Sequence, residues 1–315
     1  MAAGNTVVLK GSELSPRCYY EIASIFSEAG LPDGCLNLLF HRREDAAAIT
    51  NKLIAHPSIK KINFTGSTTI GSVVAATAGQ HLKPIVTELG GKASTIVLAD
   101  VDIEKAAKSC TLSSFLHAGQ VCMSTERVIV HSSIIGSFTE AFKRWTDNMY
   151  GGNGHNPRLV SAAGAIKTKT LVKDAIVKGA NVVFGDPEES TELDRSSTSM
   201  SPIILSDVNK SADLYLAESF GPSVALFTFE TEEQALEIAN DCEHGLSGAV
   251  FTKDLAAGLR VAKGYETGGV HINSLSLHQE AGLPHGGFKK SGFGSSTGQA
   301  AIDEYLRYKV VTFDD

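Results

Sequence analysis

Short apolar runs alternate with longer segments of helical periodicity along most of the chain. The runs include "NTVVLK", "CLNLLF", "IKKINFTG" and "PIVTELGG", followed by "ASTIVLAD", "RVIVH", "SVALFTFE", "LSGAVFT" and "GGVHIN". Short buried strands separated by helices are typical of parallel β–α–β units. The pattern therefore predicts an α/β fold built on parallel sheets, with a break between two lobes at the glycine pair Gly90-Gly91.

Capping and turn residues place some of the connecting elements. Residues 15–30 predict a helix with Ser15 as its N-cap and Gly30 at its end. Helical spacing of apolar residues further along puts Cys110 on the core-facing side of another helix. Residues 186–201 are polar and rich in turn formers, which predicts a surface loop.

The composition is that of an ordinary globular protein. The 315 residues are 43% hydrophobic and 20% charged, with a net charge of -7. This mild acidity argues against a nucleic-acid partner or a membrane surface. The first residues do not form a basic segment followed by an apolar one, and the five cysteines contain no CxxC pair. These features predict a cytoplasmic protein. The spacing of the histidines and cysteines predicts no metal site.

Two strand ends carry candidate ligand-binding residues. Lys10 and Glu13 follow the first strand, at the sheet edge where open parallel sheets bind ligands. They would hold ribose hydroxyls, and a solvated strand end is the alternative. The segment "INFTGSTTIG" joins a strand to a helix N-terminus, which suits a phosphate. It is neither a P-loop nor a GxGxxG fingerprint, so the residues alone favour a plain strand-to-helix turn of small residues.

Two further residues are candidates for catalysis. Glu88 ends an apolar strand in "ELGGK". Its carboxylate is a general base if its surroundings raise its pKa, and the alternative is a charge that ends the strand without a catalytic role. Cys122 lies in "SFLHAGQVCMSTERVIV", and the residue chemistry leaves two readings open. It is either a nucleophile or a small buried apolar residue.

Taken in order, seven segments resemble the aldehyde dehydrogenase superfamily. They are "NTVVLKGSE", "FTGSTTIG", "ELGGK", "GQVC", "ESFGP", "GLSGAVFT" and "LPHGGFKKSGFG". Each is weak alone, but seven in one order across nearly the whole chain form a specific match. The segment "GGVHINSLSLHQEAGLPHGG" looks most like the branch that acts on aromatic aldehydes such as vanillin or salicylaldehyde.

The resemblance implies a fold and a domain organisation. It implies a truncated aldehyde-dehydrogenase-like α/β fold, with an incomplete Rossmann-like parallel-sheet cofactor lobe and an α/β catalytic lobe. Residues 1–90 would form the partial NAD-binding domain, residues 91–305 the catalytic domain, and residues 306–315 a C-terminal oligomerisation strand. A homo-oligomer, with a dimer favoured, follows from the same resemblance.

The resemblance also implies a chemical role for each matched position. Cys122 would attack the aldehyde carbonyl as the thiolate, with its backbone N–H as one oxyanion donor, and Glu88 would activate water to hydrolyse the thioester. Glu13 would repel a 2′-phosphate, which favours NAD over NADP as the cofactor. The implied cofactor-binding residues are Lys10 and Glu13 at the adenosine ribose, Gly66 and Ser67 at the pyrophosphate, with Leu89, Glu218 and Phe220 also contacting NAD.

The chain also departs from the family pattern, and the departures keep two alternatives open. Relatives carry further chain before the position of Met1, including an asparagine that supplies a second oxyanion donor. Near the C-terminus, Ser295 and Ser296 replace a common Arg-Glu pair, and Arg307 replaces a glutamate. One alternative is a hydrolase or acyl-transfer enzyme that uses Cys122 without a nicotinamide. The other is a non-catalytic homologue that acts as a partner subunit.

Overall fold

The computed structural model describes residues 1–151, 157–193 and 196–314. Contacts within the chain divide it into two compact units. The first unit comprises Met1–Glu88, Ala281–His285 and Gly294–Asp315, and the second comprises Leu89–Glu280 and Gly286–Phe293. The border after Glu88 lies close to the predicted break at the glycine pair, but the end of the predicted range 91–305 groups with the first unit.

The first unit contains two pairs of parallel strands among its described residues. Its elements begin with β1 (Val7–Lys10), α1 (Pro16–Glu28), β2 (Leu36–Leu39), a 3₁₀ turn (Arg43–Asp45), α2 (Ala46–Ala55), β3 (Ile62–Thr65), α3 (Thr68–Gln80) and β4 (Ile85–Glu88). Strand β1 pairs with β2, and β3 pairs with β4. The predicted parallel β–α–β organisation is therefore confirmed.

The ends of α1 follow the sequence signals in part. Ser15 occupies the N-cap position, but its side chain makes no capping hydrogen bond. At the other end Gly30 adopts a φ of 85°, and the Leu31 N–H donates to the Phe26 carbonyl. This left-handed glycine ends the helix as its position in the sequence predicted.

The second unit is built on a seven-stranded sheet. Its elements are β5 (Ala93–Val97), α4 (Ile103–Phe115), a 3₁₀ turn (Leu116–Gly119), β6 (Thr125–His131), a 3₁₀ turn (Ser132–Ile134), α5 (Ile135–Tyr150), α6 (Ala162–Val177), β7 (Asn181–Phe184), α7 (Pro187–Thr191), β8 (Ile203–Ser206), α8 (Asp213–Leu216), β9 (Ser223–Phe229), α9 (Glu232–Asn240), β10 (His244–Gly245), β11 (Ser247–Phe251), α10 (Leu255–Gly264), β12 (Gly269–Ile272), β13 (Phe288–Lys289) and β14 (Gly292–Phe293). Helix α11 (Gly298–Asp303) belongs to the first unit.

The large sheet is parallel apart from one edge. Its strand order is β12-β11-β5-β6-β9-β8-β7, and only β7 runs antiparallel to its neighbour β8. Helices cover both faces because successive strand residues point to opposite sides. Val97 on β5 packs in the cluster formed with α4 and α5, whereas Ile96 packs in the cluster formed with α9 and α10. The predicted α/β class is thus confirmed.

One local prediction needs correction. The segment 186–201 contains α7, which begins where the Asp186 carboxylate accepts the N–H groups of Glu188 and Glu189. Asp194 and Arg195 of that segment lie outside the described residues. Residues 306–314 form no strand in the single chain, and the expected oligomerisation strand, which needs a partner chain, stays a prediction. In the part of the chain that the structure describes, helices of membrane-spanning length and hydrophobicity are absent.

Candidate active site

The segments "ELGGK" and "GQVC" come into direct backbone contact within the second unit. A Cβ atom added at Gly91 would lie 2.1 Å from the carbonyl oxygen of Cys122. Atoms at that distance overlap, so only glycine allows the start of β5 to approach the Cys122 loop this closely. The glycine pair therefore has a packing role in addition to marking the border between the units.

The segment "ESFGP" joins the same cluster. The Gly91 N–H donates to Glu218 Oε1 at 2.9 Å, and a Cβ atom at Gly90 would lie 2.5 Å from Glu218 Oε2. On the other side, a Cβ atom at Gly119 would lie 2.3 Å from the Gly221 carbonyl oxygen. Three segments that are distant in sequence therefore converge on Cys122, held together by contacts that depend on glycine.

The backbone before Cys122 is strained. His117 and Ala118 adopt positive φ values of 52° and 57°, and Gly119 follows at 69°. Left-handed conformations cost a non-glycine residue about 1–2 kcal/mol each, so this turn stores energy that surrounding contacts must offset. Residues in such conformations cluster at functional sites, which is a reason to examine the thiol that follows.

The thiols differ in their access to solvent. Cys122 is partly exposed, whereas Cys110 and Cys242 are buried. Burial raises the pKa of the Cys110 thiol, which keeps it protonated and unreactive. Its predicted place in the core, on α4, is confirmed. Cys122 combines solvent access with a strained loop, as expected of a nucleophile.

Glu218 has a strongly perturbed carboxyl group. Burial and the nearby negative charge of Glu126 together raise its pKa to about 7, against the hydrogen bond from the Gly91 N–H, which lowers it. A carboxyl with this pKa exchanges its proton near neutral pH. Such perturbation is common at functional sites, so it supports a role for Glu218 beyond packing.

A buried ion pair contacts the segment that carries Glu218, and the sequence analysis did not predict it. Lys92 Nζ is 2.6 Å from Glu126 Oε2, and the two side chains are 2% and 4% exposed. Glu126 also accepts hydrogen bonds from the backbone N–H groups of Ser219 and Phe220. Glu126, a charged residue in the mostly buried strand β6, is the feature of the sequence that could have indicated the pair, because charges are seldom buried without a partner.

Glu88 lies in the first unit, at the end of β4. Its carbonyl accepts a hydrogen bond from the Gly66 N–H at 3.1 Å. Its Oε1 lies 2.6 Å from His285 Nε2, a close contact that does not have the geometry of a hydrogen bond. Both side chains are largely buried, at 18% and 14% exposure respectively. His285 is therefore the immediate neighbour of this carboxylate.

The predicted cofactor-binding residues are divided between the units. In the first, Lys10 ends β1 and shares a hydrogen bond with His41 Nε2 at 2.7 Å, and Glu13 follows it, partly exposed. Ser67 caps α3 by accepting the Ile70 N–H, and Gly66 precedes it. In the second unit are the remaining residues, Leu89, Glu218 and Phe220.

These residues fit the nucleotide half of a dinucleotide. An exposed Gly-Ser at the N-terminus of the 13-residue helix α3 presents N–H donors that suit a pyrophosphate. Lys10 carries hydrogen-bond donors and Glu13 carries acceptors, the groups with which ribose hydroxyls pair. Within 1–151, 157–193 and 196–314, no three His, Cys, Asp or Glu side chains are grouped as metal ligands.

Comparison with known proteins shows the family. Residues 1–311 match the model of the aldehyde dehydrogenase family, and the chain belongs to that family. It is 40% identical to a vanillin dehydrogenase from Pseudomonas fluorescens, over 100% of this chain and 65% of that protein. The predicted family resemblance is thereby confirmed.

Solved structures give the same result. The crystal structure of a salicylaldehyde dehydrogenase from Pseudomonas putida G7, complexed with salicylaldehyde, matches with a TM-score of 0.92 and 40% identity, over 99% of this chain and 65% of that one. A succinic semialdehyde dehydrogenase from Streptococcus pyogenes, in complex with NADP⁺, matches with a TM-score of 0.89 and 29% identity, over 99% and 68%. The chain therefore spans about 65% of the length of the aromatic-aldehyde relatives.

Proposed function

We propose that this protein oxidises an aromatic aldehyde to the carboxylic acid with NAD as the hydride acceptor. The observation that carries the proposal is the contact of Gly91 with the Cys122 carbonyl, joined to Glu218 through the Gly91 N–H. It brings three family segments together around a partly exposed thiol. The similarity to vanillin and salicylaldehyde dehydrogenases favours an aromatic substrate.

The reaction begins at Cys122. Its thiolate attacks the aldehyde carbon, so that a C–S bond forms and the carbonyl electrons move to oxygen. The Cys122 backbone N–H stabilises that oxyanion. When the C–H electron pair leaves as hydride, the C=O bond re-forms and a thioester remains on Cys122. Covalent capture thereby divides one difficult step into two easier ones.

Glu88 completes the reaction as the general base. It takes a proton from water, whose oxygen attacks the thioester carbon, and the C–S bond then breaks to release the acid and the Cys122 thiolate. His285 limits the orientations of the Glu88 carboxylate, because its ring nitrogen lies 2.6 Å from Oε1.

The cofactor supplies the redox chemistry by accepting the hydride when bound. Lys10 and Glu13 would hold the adenosine ribose, and Gly66 and Ser67 would face the pyrophosphate. Glu13 favours NAD because its negative charge repels a 2′-phosphate. The second-unit residues that contribute to binding are Leu89, Glu218 and Phe220.

The proposed assembly is a homo-oligomer, with a dimer favoured, in which the exposed residues 306–314 take part. Tyr308, Val310 and Phe313 are 94%, 87% and 85% exposed in the single chain, which is unusual for apolar residues without a partner. The hydrolase and partner-subunit alternatives receive no support from the relatives, whose names are those of dehydrogenases.

The test is NADH formation from vanillin, from salicylaldehyde and from an aliphatic aldehyde. We expect turnover with the aromatic aldehydes and its loss in Cys122→Ser. Cys35→Ser is the matched control, because Cys35 has the same intermediate exposure as Cys122 but lies in the first unit. A well-folded protein without NADH formation, or a Cys122→Ser variant that retains it, would refute the proposal.

A further inference from the structure

Glu126 is bound to the backbone of the turn that carries Glu218 and Phe220. Its Oε1 and Oε2 atoms both lie 2.9 Å from the Ser219 nitrogen, and Oε1 lies 3.1 Å from the Phe220 nitrogen. A carboxylate that accepts two consecutive N–H groups holds both peptide planes at once. Hydrogen bonds to an ionised acceptor are also shorter and stronger than neutral ones.

Lys92 is the ion-pair partner of this carboxylate within the protein. Its ammonium group lies 2.6 Å from Glu126 Oε2, and both side chains are almost fully buried. Buried pairs of this kind contribute little net stability, because desolvation offsets their attraction. A role in geometry explains the burial of both charges better than a role in stability does.

The turn itself has a shape that needs external support. Phe220 adopts a φ of 52°, a left-handed conformation that a bulky residue seldom takes. Thr168 on α6 donates its hydroxyl hydrogen to the Ser219 carbonyl at 3.1 Å. The N–H groups of the turn are thus bound by Glu126 on β6, and its Ser219 carbonyl group is bound by Thr168 on α6. The Phe220 side chain remains 39% exposed, available to a ligand.

We propose that Glu126 is a positioning residue for cofactor binding, and that Lys92 is its counter-ion. Glu126 holds the backbone at Ser219 and Phe220, so that the Phe220 ring and the Glu218 carboxyl keep the orientation that the cofactor requires. This inference rests on the proposed function for its consequence in binding, but the positioning itself is a property of the folded chain.

Hydrogen–deuterium exchange tests the positioning without any ligand. In Glu126→Gln, the neutral side chain keeps its size but loses the charge, so we expect the Ser219 and Phe220 amides to exchange about tenfold faster. Asp100→Asn is the matched control, because Asp100 likewise accepts backbone N–H groups, from Lys253 and Asp254. The control should leave the 219–220 amides unchanged.

A second variant separates positioning from stability. Lys92→Met/Glu126→Leu replaces the buried pair by apolar side chains, a change that often restores or increases stability. It provides no acceptor for the Ser219 and Phe220 N–H groups. We therefore expect a variant that still unfolds cooperatively in a thermal melt, fast exchange at these two amides, and at least a tenfold weaker Kd for NAD in calorimetry.

The outcomes are distinguishable. Unchanged amide exchange at 219–220 in the folded double variant, or in Glu126→Gln, overturns the inference. Fast exchange with an unchanged Kd for NAD overturns the role in cofactor binding. If the wild-type protein binds no NAD, the proposed function fails, whereas the exchange result still decides whether Glu126 holds the turn.

Discussion

Replacing Glu218 by glutamine should make the protein more stable at high pH and leave it unchanged at low pH. The Glu218 carboxyl has a pKa of about 7 in the folded chain, against an ordinary value of 4.5. Below the lower value the group is protonated in both states. As the pH rises from 4.5 to about 7, the unfolded chain releases this proton first, and the native state loses stability.

The size of the effect follows from the two pKa values. Their difference corresponds to about 3 kcal/mol of unfolding free energy if the group is fully shielded from water. Glu218 is only partly buried, and solvent screening reduces the figure, so we expect about 2 kcal/mol. Glutamine keeps the acceptor for the Gly91 N–H but does not titrate, so Glu218→Gln should gain that amount.

Urea denaturation of the wild-type protein and Glu218→Gln at about pH 5 and about pH 8 measures the effect. Subtracting the two proteins at each pH removes the contribution of the titrating groups that do not interact with Glu218. The expected result is a difference that grows by about 2 kcal/mol between the two conditions. A difference that is independent of pH would show that burial does not perturb this carboxyl, and the reasoning would be wrong.

Three further changes have defined outcomes. Gly91→Ala should lower the free energy of unfolding by at least about 3 kcal/mol in urea denaturation, because the added Cβ overlaps the Cys122 carbonyl. The control Gly136→Ala should not lower it, because the added Cβ meets no atom within 4 Å. His117→Gly should stabilise the fold by about 0.5–1 kcal/mol in thermal melts, since it relieves a positive φ at an exposed position; destabilisation would contradict the strain. Iodoacetamide at neutral pH should label Cys122 but spare buried Cys110 in peptide mapping; native labelling of Cys110 would contradict its burial.

The α/β architecture followed from the sequence because its signals are local. Alternation of short apolar runs with amphipathic segments depends only on neighbours along the chain. The end of α1 at Gly30 is of the same kind, since a left-handed glycine is enough to end a helix. Helix α7 was missed because five residues are too few to show a period.

The contacts within the site were less accessible to sequence reasoning. The glycine pair Gly90-Gly91 suggested a flexible joint, whereas Gly91 is needed for the approach to Cys122, a residue 31 positions away. Lys92, which precedes β5, forms an ion pair with Glu126 on β6, and nothing local identifies the partner of either charge. Long-range pairing of this kind is determined by tertiary structure, which is why the sequence analysis did not predict it.

Detection of the acyl group on Cys122 tests the proposed mechanism most directly. Glu88→Gln removes the base that hydrolyses the thioester, so rapid acid quenching of this variant with salicylaldehyde and NAD should accumulate an acylated enzyme. Peptide mass spectrometry should place the acyl group on the peptide that contains Cys122, in a yield equal to the NADH released. NADH formation without that adduct, or an adduct on another cysteine, would contradict the mechanism.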